Sequence, residues 1–307
     1  MQIPYVRRSF ATVTRLPLLA RRQVRDPRKK PRGAARLLDK LVRLAWRVRR
    51  ILPASGELEF RTTAGRAVAV RIDGRKHHFI DYASRDAHGG YEPAETALID
   101  AMLPHAKTFY DIGTNWGYFT WLAATNRAFA GRVFAFEIHP AVVGELRAML
   151  AQTPFGNVEV MPFGLSERSG EVGITVGRQD HLTRVSEDGA KRRVSVPVRA
   201  LDELSALPPP DLIKMDVEDH ELAVVRGGAG LFAGHRPAVL FECRDPETAD
   251  AKELIRFFHD ADYVLFRLGE KDGMLSLNRV ASDSPGGIPA PSNLFAVPEE
   301  RIAHWLG

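Results

Sequence analysis

The chain has 307 residues, of which 45% are apolar and 26% are charged, and its formal net charge is +5. This composition excludes a wholly disordered chain and is ample for the packed core of one large domain or two small ones. The single cysteine, Cys243, excludes an internal disulfide scaffold and gives no support to an oxidising compartment.

The charge is unevenly distributed along the chain. Residues 1–53 contain sixteen Lys or Arg and two acidic residues, a net of +14, whereas residues 54–307 carry a net of −9. We interpret residues 1–53 as a basic N-terminal arm, residues 54–106 as a hairpin and a helix leading into the fold, and residues 107–307 as the main domain. A basic arm is typical of proteins that meet phosphate on nucleic acid or at an anionic membrane.

Within the arm, residues 34–52 predict a basic amphipathic helix. Apolar residues recur there at spacings of three and four, and arginine and lysine repeat with the same spacing on the opposite side. The helix could cap the body, lie on anionic lipid or bind nucleic acid, although no RNA-binding motif accompanies it. Residues 1–33 contain four prolines and no sustained period, so we expect them to be largely flexible.

Targeting signals are weak in this sequence. No stretch of 18 uninterrupted apolar residues occurs, which argues against a spanning helix, and the N-terminus lacks the apolar region of a secretory signal. Its Arg-rich start is similar to an organelle transit peptide, but the basic run extends well beyond such a segment. We expect a cytoplasmic protein, with residues 34–52 as a candidate contact with the inner face of the membrane.

After residue 53 the pattern predicts alternating strands and helices. We expect a hairpin from Glu57–Phe60 and Ala67–Ile72, a strand over His78–Tyr82 and a helix over Glu92–Leu103. The further strands are predicted at 108–112, 132–137, 157–161, 194–199, 211–216, 238–242, 263–267 and 293–297, and the helices at 117–128, 140–152, 219–226, 247–260 and 299–306. This alternation predicts an α/β fold with a mostly parallel sheet, which binds ligands at the carboxyl ends of its strands.

The strand at 108–112 runs into a glycine-containing turn, Asp111–Gly117, which a helix follows. Gly113 and Gly117 let a ligand approach the backbone, and the helix start offers free N–H groups. The G-x-N-x-G spacing differs from the dinucleotide pattern G-x-G-x-x-G, and Asp111 would repel a phosphate. Because a carboxylate suits an ammonium group, this turn favours the amino-acid half of S-adenosylmethionine over pyrophosphate.

Acidic residues also stand at the carboxyl ends of the strands predicted at 132–137 and 211–216. Glu137 lies twenty residues beyond Gly117, where its two oxygens can accept both hydroxyls of an adenosine ribose. The strand at 211–216 ends in a cluster of acids at Asp216–Glu221, which is costly unless a cationic ligand arrives. One of these carboxylates could act as a general base toward an alcohol. For Asp219 and Glu221, an ordinary helix N-terminus is the alternative interpretation.

Six segments follow one another in a characteristic order. They are Asp111–Gly117 with Tyr118-Phe119-Thr120, Phe136-Glu137, Asn157-Val158, Gly164-Leu165-Ser166, Leu201-Asp202 and Ile213–Glu218. Together they resemble the FkbM family of S-adenosylmethionine-dependent methyltransferases over about residues 90–300, without the arm. The resemblance implies a Rossmann-like class I methyltransferase fold, with a mostly parallel seven-stranded sheet, helices on both faces and a final antiparallel strand at Asn293–Val297. It also implies O-methylation of a hydroxyl on a sugar, glycan or natural product.

The resemblance assigns roles to residues at the predicted ligand edge. It implies cofactor binding by Asp111, Gly113, Thr114, Asn115, Gly117, Tyr118, Glu137, Gly164 and Asp216. From the chemistry of their side chains we expect catalytic roles for Asp216, Glu218, His220 and Glu242, with Asp216 or Glu218 accepting the hydroxyl proton. His220 could instead make a local hydrogen bond at a helix start, and Glu242 could instead pair with Arg244. Cys243 is expected to be inert.

The sequence departs from the family at two points. Ile138 and His139 separate Glu137 from Pro140, and Asp219 stands where the family favours glycine. Asp tolerates positive φ better than most residues, so the turn could still form. Asp216, Glu218, Glu221 and Glu242 are oxygen ligands of the kind Mg²⁺ accepts, but nothing in their spacing requires a metal.

Two further segments are predicted to be surface loops, and two other functions are weighed against methyl transfer. Residues 177–193 and 281–292 are predicted as surface loops near the substrate. The first could receive an acidic or phosphorylated acceptor, although a solvated hairpin is the favoured interpretation. A nicotinamide dehydrogenase is disfavoured by the G-x-N-x-G spacing. A catalytically degenerate module that docks on membrane or nucleic acid through the arm is the alternative to an enzyme. The sequence leaves the oligomeric state open.

Overall fold

The structure is a computed structural model that describes residues 2–4, 11–15, 55–61, 67–73, 79, 82, 91–175, 193–271, 274–280, 289–290 and 292–307. The predicted helix at 34–52 lies outside the described residues, as do most of the loops 177–193 and 281–292. The chain divides into two compact units. The first comprises residues 1–6, 94–147 and 155–307, and the second comprises residues 7–93 and 148–154.

The bounds of the described elements agree closely with the strand and helix predictions for the main domain. The strands are β1 (Gln2–Pro4), β2 (Ala11–Arg15), β3 (Ser55–Arg61), β4 (Ala67–Asp73), β5 (Thr108–Ile112), β6 (Arg132–Phe136), β7 (Val158–Met161), β8 (Gly164–Leu165), β9 (Gly170–Thr175), β10 (Arg193–Arg199), β11 (Leu212–Met215), β12 (Ala238–Cys243), β13 (Tyr263–Lys271), β14 (Met274–Arg279) and β15 (Ser292–Pro298). The helices are α1 (Pro93–Met102), α2 (Tyr118–Thr125), α3 (Pro140–Leu150), α4 (Glu221–Arg226), α5 (Ala229–Gly234), α6 (Ala249–Asp260) and α7 (Ile302–Leu306).

The first unit is built on a nine-stranded sheet with the order β1-β14-β13-β15-β12-β11-β5-β6-β7. Strands β5, β6, β7, β11 and β12 are parallel, and β15 runs antiparallel between β12 and β13. The inserted antiparallel strand predicted at Asn293–Val297 is therefore confirmed as β15. A sheet of seven strands was expected, and two further antiparallel strands, β14 and β1, extend it beyond β13.

The central strands are buried on both faces, as their apolar sequences require. All five residues of β5 and all four of β11 are buried. Tyr110 and Ile112 point to one face and join a core with residues of α4, α5 and α6. Because side chains alternate along a strand, Asp111 points to the other face, where α2 begins. The alternation thus places one ionisable group of β5 beneath the start of a helix.

The second unit contains the three-stranded antiparallel sheet β2-β3-β4. The predicted hairpin is confirmed by the pairing of β3 with β4. A strand over His78–Tyr82 was expected, but Phe79 and Tyr82 are helical. Both are buried, and their spacing of three residues is that of a helix face, whereas a strand repeats every two residues.

The expectation that residues 1–33 are largely flexible is wrong for eight of them. Residues 2–4 form β1 at the edge of the large sheet, and residues 11–15 form β2 beside β3. Pro4 is compatible with this because an edge strand tolerates a residue without an N–H group. The sequence of β2, Ala-Thr-Val-Thr-Arg, is rich in β-branched residues, which favour strands.

Candidate functional site

The turn after β5 has a backbone that few residues other than glycine can adopt. Gly113, Asn115 and Gly117 have φ of +78°, +54° and +92°. Glycine reaches this region without steric cost, and asparagine tolerates it better than most residues. The N–H groups of Gly113 and Thr114 both donate to the carbonyl of Phe136 at 3.0 Å, so the turn is tied to the end of β6.

Gly113 also brings the turn against the end of β11. A β-carbon built at this residue would lie 1.9 Å from the backbone oxygen of Asp216. The backbone N–H of Asp216 in turn donates to the carbonyl of Ile112 at 3.0 Å. Two motifs that are a hundred residues apart in sequence therefore meet at one edge of the sheet, as the parallel strand order requires.

Asp111 ends β5 as a deeply buried carboxylate, with 1% of its surface exposed. The hydroxyls of Thr114 and Thr120 donate to its Oδ2 at 2.6 and 2.7 Å. Its Oδ1 is buried and has no hydrogen-bond partner among the described residues. Burial raises the pKa of Asp111, while Lys214 and the two hydroxyls act in the opposite direction. A buried acceptor atom without a donor is a site where a ligand can supply one.

Glu137, directly after β6, is buried and held by two backbone donors. The N–H of Asn115 donates to Oε2 at 2.9 Å, and the N–H of His139 donates to Oε1 at 2.8 Å. Burial raises the pKa of Glu137 to about 7, although these hydrogen bonds oppose the shift. Each carboxylate oxygen can accept a second hydrogen bond, so both oxygens keep acceptor capacity for a pair of hydroxyls.

Asp216 is paired with a lysine of its own strand. The Nζ of Lys214 lies 2.8 Å from Oδ2 of Asp216. Burial opposes ionisation of Asp216, but the charges of Lys214 and Arg244 outweigh it and lower the pKa of this carboxyl. Asp216 is therefore a carboxylate at neutral pH and a weak base.

Arg244, which directly follows β12, forms ion pairs with three other acidic residues at this edge of the sheet. Its guanidinium pairs with Glu218 through Nη2, with Glu242 through Nε at 2.9 Å and with Asp219 through Nη1 at 3.7 Å. Glu242 therefore makes the arginine pairing that the sequence offered as an alternative to catalysis. Burial, followed by the charge of Asp216, raises the pKa of Glu242 even so.

Glu221 is the first residue of α4, and His220 directly precedes it. The Nε2 of His220 lies 3.0 Å from the hydroxyl oxygen of Ser166, and burial lowers the pKa of this imidazole. Glu221 is buried, and its Oε1 accepts a hydrogen bond from the N–H of Val217 at 3.0 Å. Burial raises the pKa of Glu221 to about 7. Glu221 thus closes the turn before α4, as the interpretation of a helix N-terminus expects.

Gly164 and Tyr118 occupy structural positions beside these groups. A β-carbon at Gly164, in β8, would lie 2.7 Å from Cδ1 of Ile138, which follows Glu137 directly. Tyr118 is the first residue of α2, and its hydroxyl oxygen accepts a hydrogen bond from Thr96 at 3.0 Å. Cys243 is buried, and burial raises the pKa of its thiol to about 11, so it stays protonated at neutral pH.

The sequence interpretation gave no site role to Lys214, Thr120 or Arg244. Lys214 stands among the apolar residues of a buried strand, and that exception was a usable signal. Asp202, from the Leu201-Asp202 motif, accepts hydrogen bonds from the N–H groups of Gly230 and Leu231 and so caps α5. Among the described residues, no group of three or more His, Cys, Asp or Glu is arranged to hold a metal ion.

A comparison with protein families identifies the family to which this chain belongs. The model of the methyltransferase FkbM domain matches residues 111–265, from the buried carboxylate at the end of β5 into β13. The chain belongs to the FkbM methyltransferase family. Residues 111–265 are thus a methyltransferase FkbM domain, and the central strands β7-β6-β5-β11-β12 with β15 and β13 form a Rossmann-like sheet.

Three individual relatives are between 15% and 30% identical to this chain. The hexuronic acid methyltransferase AglP of Haloferax volcanii is 30% identical over 138 residues, which are 43% of this chain and 56% of AglP. Among solved structures, FkbM from Methylobacillus flagellatus is 17% identical with a TM-score of 0.41, covering 62% of this chain and 44% of that one. An O-methyltransferase from Bacillus cereus in complex with SAH is 15% identical with a TM-score of 0.41, covering 68% and 82%.

The two departures from the FkbM pattern have structural explanations. Asp219 has φ of +73°, in the region that glycine favours, and Glu218 before it has φ of +57°. The two residues between Glu137 and Pro140 lengthen the turn, and Glu137 directly follows β6. His139 contributes the second N–H donor to Glu137, and its Nδ1 accepts from the N–H of Ala141 at the start of α3.

Proposed function

We propose that this FkbM-family protein is an S-adenosylmethionine-dependent O-methyltransferase that acts on a hydroxyl of a sugar, glycan or natural product. The family and the name of the AglP relative support methylation of a sugar-type acceptor. The alignment with AglP covers 56% of that relative, and the acceptor class proposed here rests on this likeness and on the family.

The observation that carries the proposal is a pair of buried carboxylates beside a glycine turn. Asp111 offers an unpartnered Oδ1, which fits the ammonium of an amino-acid group. Glu137 offers acceptor capacity on both oxygens, which fits the two hydroxyls of a ribose. Gly113 and Gly117 allow the turn between them to form, because both have positive φ and both pack closely against neighbouring protein atoms. S-adenosylmethionine has both of these groups and supplies a methyl group already activated on a sulfonium.

The remaining work of the site is to align an acceptor hydroxyl and to take its proton. Asp216 and Glu218 are held by Lys214 and Arg244, so they suit orientation and charge complementarity better than proton transfer. Glu242 is also held by Arg244, but burial and the charge of Asp216 raise its pKa and so strengthen it as a base. Burial lowers the pKa of His220, which keeps the imidazole neutral. We infer that Glu242 or His220 takes the proton.

Methyl transfer from radiolabelled S-adenosylmethionine to a panel of hexoses, amino sugars and lipid-linked glycans tests this proposal. We expect transfer to at least one acceptor, and a loss of about 10²-fold or more in kcat when the base is removed in Glu242→Gln or His220→Asn. Glu299→Gln, at an exposed site after β15, is the matched control. Transfer that is unchanged in both single variants would contradict these proton acceptors.

A docking module without activity is the other function that the sequence allowed, and no observation in the described residues favours it. Location remains a proposal as well. We propose a cytoplasmic enzyme that contacts the anionic inner face of the membrane through residues 34–52, on the basis of their amphipathic sequence.

A further inference from the structure

Three ionisable groups lie together beneath the first turn of α2. Lys214 and Asp111 are Cα partners on the adjacent parallel strands β11 and β5, so their side chains share one face of the sheet. Lys214 is 7% exposed, its Nζ is 2.8 Å from Asp216, and it lies 4.9 Å from the ring centroid of Phe119 in α2. A buried ammonium is thus paired with Asp216 and lies on the same face of the sheet as Asp111, whose pKa its charge lowers.

The charges in this cluster do not balance. Lys214 supplies one positive charge against Asp111 and Asp216, and Glu137 faces Asp111 from the end of β6. The uncharged donors Thr114 and Thr120 support only one oxygen of Asp111. Burial drives Asp111 toward its neutral form, in which a protonated carboxyl could no longer attract an ammonium. Lys214 is the charge that opposes this.

We propose that Lys214 is a positioning residue that keeps Asp111 ionised for the ammonium of the cofactor's amino-acid group, without itself contacting the cofactor. The proposal rests on the proposed function. It predicts that the two ends of the cofactor depend on different residues for binding. Binding of the amino-acid end depends on Lys214 through Asp111, whereas binding of the nucleoside end depends on Glu137 and is independent of Lys214.

Two ligands separate these halves in a titration experiment. S-adenosylhomocysteine has the amino-acid group, and 5′-methylthioadenosine keeps the nucleoside and sulfur but lacks that group. Isothermal titration calorimetry from pH 6 to pH 8 would compare both ligands in the wild type and in Lys214→Met, which retains much of the apolar stem. Because Glu137 also titrates near pH 7, the quantity to follow is the ratio of variant to wild-type Kd at each pH.

We expect this ratio for S-adenosylhomocysteine to be about tenfold or more at pH 6 and to decrease as the pH rises, because without the Lys214 charge Asp111 ionises at higher pH than in the wild type. The ratio for 5′-methylthioadenosine should stay within about twofold at every pH. In an Asp111→Asn background, adding Lys214→Met should produce no further pH-dependent loss. Lys214→Gln repeats the test if the Met variant does not fold, as judged by its thermal unfolding.

Several outcomes would overturn the proposal. A loss of S-adenosylhomocysteine affinity that is equal at every pH would mean that Lys214 binds the ligand directly or only supports the fold. An equal loss for 5′-methylthioadenosine would also contradict it, as would no loss at all. If the wild type binds neither ligand, the proposed function itself fails, and that result is distinct from failure of the role of Lys214.

Discussion

At the scale of single residues, the backbone of the glycine turn decides which side chains reach the ligand edge. Gly113 and Gly117 were recognised in the sequence because their spacing marks a turn. The reason that position 113 has no side chain, its close approach to the backbone of Asp216, comes from a residue a hundred positions away. Arg244 was missed because two of its partners, Glu218 and Asp219, come from a distant turn, whereas Lys214 was detectable as a charged residue in a buried strand.

The substitution Gly113→Ala tests this close approach. A methyl group there meets the Asp216 oxygen at 1.9 Å, and φ is +78°, so the free energy of unfolding should fall by more than about 1 kcal/mol. Gly144→Ala is the matched control, because nothing lies within 4 Å of that β-carbon in α3. A helical alanine should raise the free energy of unfolding by about 0.5–1 kcal/mol. Urea denaturation of both variants measures the difference, and similar values for the two would contradict the structure of the turn.

At the scale of elements, the strands and helices of the main domain follow from the sequence because central strands are continuous apolar runs. The missed elements are short or weakly patterned: β8 has two residues, β9 contains two glycines, and β14 buries only alternate residues. Short α5 depends on Asp202, which caps it from another part of the chain. Such long-range support leaves no local periodic signal.

The start of α4 predicts a pH-dependent stability. Burial raises the pKa of Glu221 to about 7 from an unfolded value of 4.5, so the folded state holds a proton that the unfolded state has lost between these values. This contribution lowers stability as pH rises through that window. We therefore expect the free energy of unfolding of Glu221→Gln, relative to that of the wild type, to rise by on the order of 2 kcal/mol between pH 4.5 and pH 8. Urea denaturation at the two pH values measures it.

The control for this comparison is Glu299→Gln, because Glu299 is exposed. Its stability relative to the wild type should be nearly the same at both pH values. If Glu221→Gln behaves like this control, the Glu221 carboxyl is not buried as the structure places it.

At the scale of the whole molecule, the N-terminal arm is not one independent segment. Residues 2–4 extend the large sheet of the first unit, and residues 11–15 belong to the small sheet of the second. The sequence could not indicate this, because strand pairing at a sheet edge uses backbone groups and leaves little trace in composition. No described helix is long and apolar enough to span a membrane.

The sequence of residues 34–52 still predicts binding to anionic surfaces, with six basic residues and one acidic residue. Each basic residue near an anionic bilayer contributes about 1 kcal/mol, so the protein should sediment with phosphatidylserine vesicles and much less with phosphatidylcholine vesicles. Replacing Arg43, Arg47 and Arg50 with glutamine should reduce sedimentation with the anionic vesicles. Equal sedimentation with both lipids would remove the electrostatic explanation.

We propose that the edge formed by β5, β6 and β11 binds an adenosyl amino-acid cofactor. Calorimetric titration of S-adenosylhomocysteine into the wild type and Glu137→Gln tests it most directly. We predict saturable one-to-one binding by the wild type and an affinity about tenfold lower or more in Glu137→Gln, because an amide can accept at only one of the two positions facing the ribose hydroxyls. A wild-type protein that binds no S-adenosylhomocysteine at millimolar concentration would contradict the account.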